Sequence, residues 1–131
     1  MDFSWTEEQR ALREELVRFA ESELNDDVLE RDRSGSFPID AWRKCGTIGI
    51  QGLPVPEEFG GGGADALTIM GALEALGYGC KDNGLIFSLN AHMWSCVIPL
   101  TTFGTPEQKR RWLPGLSDGS LIGVQAMTEP G

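Results

Sequence analysis

Positive charge is scarce in this sequence: 11 Lys and Arg stand against 20 Asp and Glu in 131 residues, a formal net charge of -9. A nucleic-acid or anionic-membrane surface needs clustered Lys and Arg. The densest cluster here is the short run Lys109-Arg110-Arg111, so neither partner is expected. Cysteine is sparse as well. Cys45, Cys80 and Cys96 make an odd set without a CxxC pair, which suits a reducing compartment better than a disulfide framework. The opening MDFSWTEEQR carries acidic residues and no apolar leader core, and it is not Arg-rich like a transit peptide. A cytoplasmic location is the expectation. Histidine is nearly absent. His92 and Cys96, four residues apart, have no third or fourth ligand to complete a zinc site, and no cysteine has a histidine partner other than His92. Neither a metal nor a thiol nucleophile is expected.

What is present is the composition of an ordinary globular domain, 40% hydrophobic and 24% charged, with room for one core. Ser4-x-x-Glu7 and Thr6-x-x-Gln9 are overlapping capping boxes. Beyond them Leu12, Leu16, Phe19, Ala20 and Leu24 recur at helical spacing. The pattern predicts a long amphipathic helix reaching the RDRSGSF break. Phe37-Pro38 opens a short helix carrying Trp42, with Gly46 placed to end it. The prolines and the glycine run Gly60 to Gly63 in GLPVPEEFGGGGA predict irregular chain. No Gly-Lys-Ser/Thr follows that run and no strand precedes it, so it is not a phosphate loop. Asp65 caps a helix with the stripe Ile69, Leu73 and Leu76, closed by Gly77 and Gly79.

Asp82 or Asn83 opens the next helix, and from Asn83 to Gly104 the chain has no charged side chain. That is about the ~20 residues a membrane crossing needs. Ser88, Asn90, His92, Ser95, Thr101 and Thr102 are spread around it and Pro99 interrupts it. A helix buried within a soluble bundle is therefore the reading adopted. Thr105-Pro106-Glu107-Gln108 opens another helix that carries Trp112 and is expected to end near Pro114-Gly115. After an Asp118-Gly119 turn, SLIGVQAMT reads as the single strand. A lone strand leaves backbone edges unpaired, so the chain looks cut where a second domain should begin. The expected architecture is mainly α, a helical domain over 1–117 ending in one β-strand, with 118–131 the start of an incomplete β domain.

Three stretches in order now resemble one family. FPIDAWRKCGTIGIQGLPVPEEFGG is similar to the acyl-CoA dehydrogenase pattern of Phe-Pro, Trp, Gly, then Pro-Glu-Glu-aromatic-Gly-Gly. FGTPEQKRRWLPGLSDGSLIG resembles the family's segment before its middle domain. AMTEPG resembles the start of its Thr-Glu-Pro-x-x-Gly-Ser-Asp flavin loop. The resemblance implies an oxidoreductase of fatty acid metabolism type that holds FAD and removes two hydrogens from the α and β carbons of an acyl thioester. A glutamate takes the α proton and flavin N5 takes the β hydrogen as hydride. It implies a CoA or carrier-protein thioester as substrate, an electron-transfer flavoprotein or other acceptor, and a homo-oligomer, tetramer or dimer. Family members have a helical N-terminal domain, a β middle domain and a C-terminal four-helix bundle that supplies the base. No catalytic residue is therefore expected in this chain, and Glu74, the one acidic residue in an apolar helix stripe, reads as exposed or partnered.

The resemblance also implies site residues. Gln125, Ala126, Met127 and Thr128 match the segment along the flavin ring. An extended strand end offers a row of backbone N–H and C=O groups, and Thr128 adds a hydroxyl. Phe87, Ser88, Ala91, His92 and Ser95 fall on the face that lines the acyl pocket in the family, and their spacing of three and four shares one helix side. His92 with Met93 and Trp94 suggests a small, polar acyl group. Two other readings stay open: a stand-alone helical interaction module that pairs its strand with a partner, and one chain of a split flavoenzyme.

Overall fold

The computed structural model describes residues 4–129. Seven α-helices are formed among them: α1 Glu7–Glu23, α2 Val28–Ser34, α3 Ile39–Thr47, α4 Ala66–Gly79, α5 Asn83–Asn90, α6 Ile98–Phe103 and α7 Pro106–Ser117. A π-helical stretch, Ala91–Val97, joins α5 to α6, so that one helical rod runs from Asn83 to Phe103.

Helix α1 starts where its cap dictates. The Thr6 hydroxyl accepts from the Gln9 N–H at 3.1 Å and the Gln9 side chain accepts from the Thr6 N–H at 3.0 Å, satisfying two donors that the first turn leaves orphaned. Leu16 and Ala20 are buried on its inner face, packed with Ile69, Ala72, Leu73 and Leu76 of α4 in the main core. The two helices approach closely because α4 presents glycine at the crossing. A Cβ on Gly79 would stand 2.6 Å from the Val17 carbonyl oxygen and 2.9 Å from the Ala20 Cβ. Glu74 is exposed and ion-paired with Arg13.

The expected single helix up to RDRSGSF is in fact two. Asn25 breaks it: its amide donates to the Gly79 carbonyl at 2.8 Å and its Oδ1 accepts from the Lys81 N–H at 2.7 Å. A short amide side chain that satisfies another helix's terminus competes with its own helix. Asp27 then adopts φ 54°, a left-handed conformation that Asp tolerates better than most residues, and α2 starts. Gly46 does not end α3, whose C-cap is Ile48. Its role is clearance, because a Cβ there would lie 2.3 Å from the Asp118 carbonyl oxygen. Helix α7 runs past Pro114-Gly115 to Ser117, since Leu116 and Ser117 are buried and both are engaged by distant groups described below.

The glycine-rich stretch contains a short 3-10 turn, Glu57–Phe59, and folds back on itself. The Gly62 N–H donates to the Gly52 carbonyl, Gly63 to Val55, and Ala64 to Leu53, at 2.9, 2.8 and 2.8 Å. One side of the rod enters the core, where Leu85, Leu89, His92, Met93 and Val97 are buried; 28% of its most apolar window is buried, and its 21 residues and mean hydropathy of 1.2 reach the length and apolarity of a membrane span. Pro99 sits just after the π stretch, where its missing N–H and its ring would otherwise disrupt the α ladder. The wider π turn absorbs that conflict and the rod continues.

The expected strand at SLIGVQAMT is not formed. Residues 122–129 have no regular secondary structure, and no residue among those described is in a strand. A strand exists only as half of a pair, and helices and tight turns occupy the remainder of the described chain. The Pro130-Gly131 end of the resembling TEPG motif lies outside the described residues.

Candidate functional site

The tail is not loose where it leaves α7. Three successive stations hold it, two of them with partners the sequence places far away. First, the Asp118 carboxylate accepts from the Ser120 N–H at 2.8 Å, Gly119 takes φ 76°, and the Gly119 carbonyl accepts from the indole N–H of Trp42 at 2.9 Å. Second, the Leu121 N–H donates to the Gly115 carbonyl at 2.9 Å. Third, the Gly123 N–H donates to Nδ1 of His92 at 3.0 Å. A buried polar group left unpaired costs about 1–3 kcal/mol, so these partners over-determine the path of the chain.

Below the tail the same polar groups interlock. Trp42, Gln51 and His92 are each fully buried. The Gln51 amide donates to the Trp42 carbonyl at 2.9 Å. The Trp42 and His92 rings meet edge to face at 5.0 Å, a favoured aromatic geometry. Nε2 of His92 lies 2.9 Å from the Leu116 carbonyl, and the Ser117 hydroxyl donates to the Gly60 carbonyl at 2.9 Å. Helices α3 and α7, the glycine loop and the π stretch thus share one polar floor.

Above this floor, α5 and the tail enclose an open groove of about 480 Å³ lined by Phe37, Phe87, Ser88, Ala91 and Ile122 through Gln125. Phe87 is 73% exposed, an apolar ring presented to the groove. The Ser88 hydroxyl donates to the Gly84 carbonyl at 2.8 Å, which leaves its lone pairs for an incoming donor. Of the five residues expected along an acyl pocket, Phe87, Ser88 and Ala91 line this groove. His92 lies beneath it, with both ring nitrogens on backbone groups, and the half-buried Ser95 does not line it. Gln125, Ala126, Met127 and Thr128 are exposed. Among the described residues none bonds to their backbone groups, so a row of N–H and C=O stands open beside an apolar trough. That row suits the polar edge of a planar heteroaromatic ring.

Burial and the neighbouring Cys80 push the Cys45 thiol up to about 12, and burial raises Cys80 and Cys96. Burial holds His92 below its ordinary value, opposed by its bond to the Leu116 carbonyl. Among the described residues no group of three or more His, Cys, Asp or Glu could hold a metal ion. Trp42, Gln51, Ser117 and Phe37 were not legible as site residues. Trp42 looked like core and Gln51 sits in an irregular stretch without periodicity, so only their tertiary partners reveal them.

Comparison with known proteins bears on the same elements. Residues 6–120 match the model of the family described as acyl-CoA dehydrogenase, N-terminal domain. Among curated relatives, an L-prolyl-[peptidyl-carrier protein] dehydrogenase of Pseudomonas fluorescens is 37% identical over 130 residues, 99% of this chain and 34% of the relative. A short-chain specific acyl-CoA dehydrogenase of Clostridium acetobutylicum is 38% identical with the same coverage of 99% and 34%. Among solved structures, the prolyl acyl carrier protein oxidase AnaB superposes with a TM-score of 0.87 at 47% identity, covering 91% of this chain and 32% of that one. The FAD complex of PigA gives 0.86 at 39%, covering 93% and 32%. The chain therefore spans about a third of the length of the relatives it matches. With the family model matched over all the described helices, the chain belongs to the acyl-CoA dehydrogenase family, in the part that forms the N-terminal domain.

Proposed function

We propose that this chain is the N-terminal part of an FAD-dependent acyl-thioester dehydrogenase that carries out α,β-dehydrogenation. In that role the groove of Phe37, Phe87, Ser88 and Ala91 forms one wall of the acyl pocket. Gln125, Ala126, Met127 and Thr128 lie along the flavin, and residues from 118 onward begin the middle β domain. The observation that carries this reading is the open backbone row of the tail running beside an apolar groove. It gives a flavin edge and an acyl chain adjacent places. Bound FAD supplies a hydride acceptor. The residues of this chain orient and shelter: Phe87 and Ala91 keep water from the acyl carbons, and the tail's N–H and C=O groups hold the ring edge. The base lies outside the described residues, so this chain contributes walls and contacts rather than proton transfer.

Among thioesters, a prolyl group on a carrier protein is the favoured substrate. Among solved structures, identity to the prolyl acyl carrier protein oxidase, 47%, exceeds the 34% to a butyryl-CoA dehydrogenase, and a small pocket wall with one serine suits a small polar ring. A CoA thioester of a short acyl chain is the second reading, and the family match supports it. Transfer of electrons to a flavoprotein acceptor, a homo-oligomeric assembly and a cytoplasmic site belong to the same proposal. Protein from the complete reading frame is expected to bind FAD and to oxidise a prolyl carrier-protein thioester faster than butyryl-CoA. Preference for butyryl-CoA would select the second reading. A folded protein that binds no flavin would overturn both, in favour of an interaction module.

A further inference from the structure

We propose that His92 is a positioning residue: a neutral imidazole, protonated on Nε2, that sets the course of the tail by accepting the Gly123 N–H on Nδ1. Its consequence for flavin binding rests on the reading of Gln125–Thr128 given above. The two partners of the ring dictate the tautomer. The Leu116 carbonyl, 2.9 Å from Nε2, can only accept, and the Gly123 N–H, 3.0 Å from Nδ1, can only donate. One nitrogen must therefore carry a proton and the other a lone pair. The ring is fully buried and braced edge to face by Trp42 at 5.0 Å, so it has little freedom to flip. Trp42 in turn holds Gly119, which places one aromatic pair across both ends of the turn.

The opposite side of the bond is as constrained. A Cβ added to Gly123 would meet Cys96 Cβ at 2.6 Å and Sγ at 3.1 Å, and Nδ1 of His92 at 3.4 Å. The tail thus lies directly on the π stretch, pressed against His92 and Cys96, and glycine is needed for the approach. Val124 and Gln125, the next residues, already line the groove. An error in the Gly123 position passes straight into the backbone row behind it. The imidazole fixes that position from one side and the end of α7 from the other, which an apolar side chain of equal volume cannot do.

The test uses two substitutions that split the ring's functions. In His92→Gln the side-chain amide reaches the Nε2 position and keeps the Leu116 bond, leaving the Gly123 N–H without an acceptor. In His92→Asn the carbonyl oxygen falls at the Nδ1 position and keeps the Gly123 bond. Amide hydrogen exchange of Gly123 is read against that of Leu121, whose bond to Gly115 neither change touches. In H92Q the Gly123 amide is expected to exchange on the order of tenfold faster, with Leu121 unchanged. In H92N it is expected to stay near the parent rate. His92 is the only histidine in the chain, so nitrogen NMR of the unsubstituted protein reads its tautomer without ambiguity and needs no variant to fold. Unaltered Gly123 exchange in H92Q, or a proton found on Nδ1 at neutral pH, would overturn the proposal. Affinity for FAD, read from quenching of flavin fluorescence, is expected to fall in H92Q and to recover in H92N. Faster Gly123 exchange in H92Q with undiminished FAD affinity would uphold the pin and remove the flavin assignment of the tail instead.

Discussion

At the scale of single residues, the site depends on three buried polar side chains whose hydrogen bonds are all to backbone. Trp42 is the simplest to probe. Trp42→Phe keeps an aromatic ring against His92 but deletes the donor to the Gly119 carbonyl. The expected loss is about 1–2 kcal/mol of stability, seen as a lower urea midpoint with an unchanged slope. His92 adds a pH dependence. Burial places its folded-state value below the 6.5 of an exposed imidazole, so between the two values the unfolded chain binds the proton and the folded chain does not. Its contribution to stability is whole above about 6.5 and declines as pH falls from there toward the folded value. The difference in unfolding free energy between the parent and H92Q is expected to shrink over that window, and a pH-independent difference would show that His92 does not titrate with folding.

At the scale of elements, closeness of approach decides most of the packing. Helices α1 and α4 meet at Gly79, where a methyl group has nowhere to go. Gly79→Ala is expected to destabilise by about 1–3 kcal/mol through overpacking, although alanine favours helix at exposed positions; thermal unfolding reads the sign directly. Much of this level was legible in the sequence, because caps and periodicity are local signals. The Thr6 and Thr105 capping boxes, the Asp65 cap and the apolar stripe of α4 could be read from spacing alone. The break at Asn25 could not, since its cause is the end of α4, which lies 54 residues on in the chain. Nor could the role of Gly46, a clearance for Asp118 that looked like a helix stop. The strand failed for a related reason: alternation shows what a segment could pair as, whereas a ladder needs a second strand. For the candidate site, helical spacing put Phe87, Ser88, Ala91, His92 and Ser95 on one side, and the first three line one groove. It gave no means of seeing that His92, on the same rod, points into the polar floor.

At the scale of the whole molecule, the described residues make a helical body with an exposed apolar margin. Phe87, Val124 and Met127 are 73, 80 and 75% exposed on the rod and tail, as Leu29 and Tyr78 are at 74 and 82% on other helices. Burial of such residues contributes about 1.5–3 kcal/mol each, so a ligand that covers the groove margin gains from that contact. Val124→Asp on the tail is accordingly expected to leave the helical body's stability within about 0.5 kcal/mol of the parent, as for an exposed position, while weakening flavin retention; loss of helicity by circular dichroism would place Val124 in the core instead. The central claim is that Gln125 to Thr128 lie along the flavin. Its most direct measurement is hydrogen exchange of the amides from 125 to 128 with and without FAD. Marked slowing of these amides on flavin binding, with α1 and α4 unaffected, is the predicted result. Flavin bound in full while those amides exchange as before would contradict it.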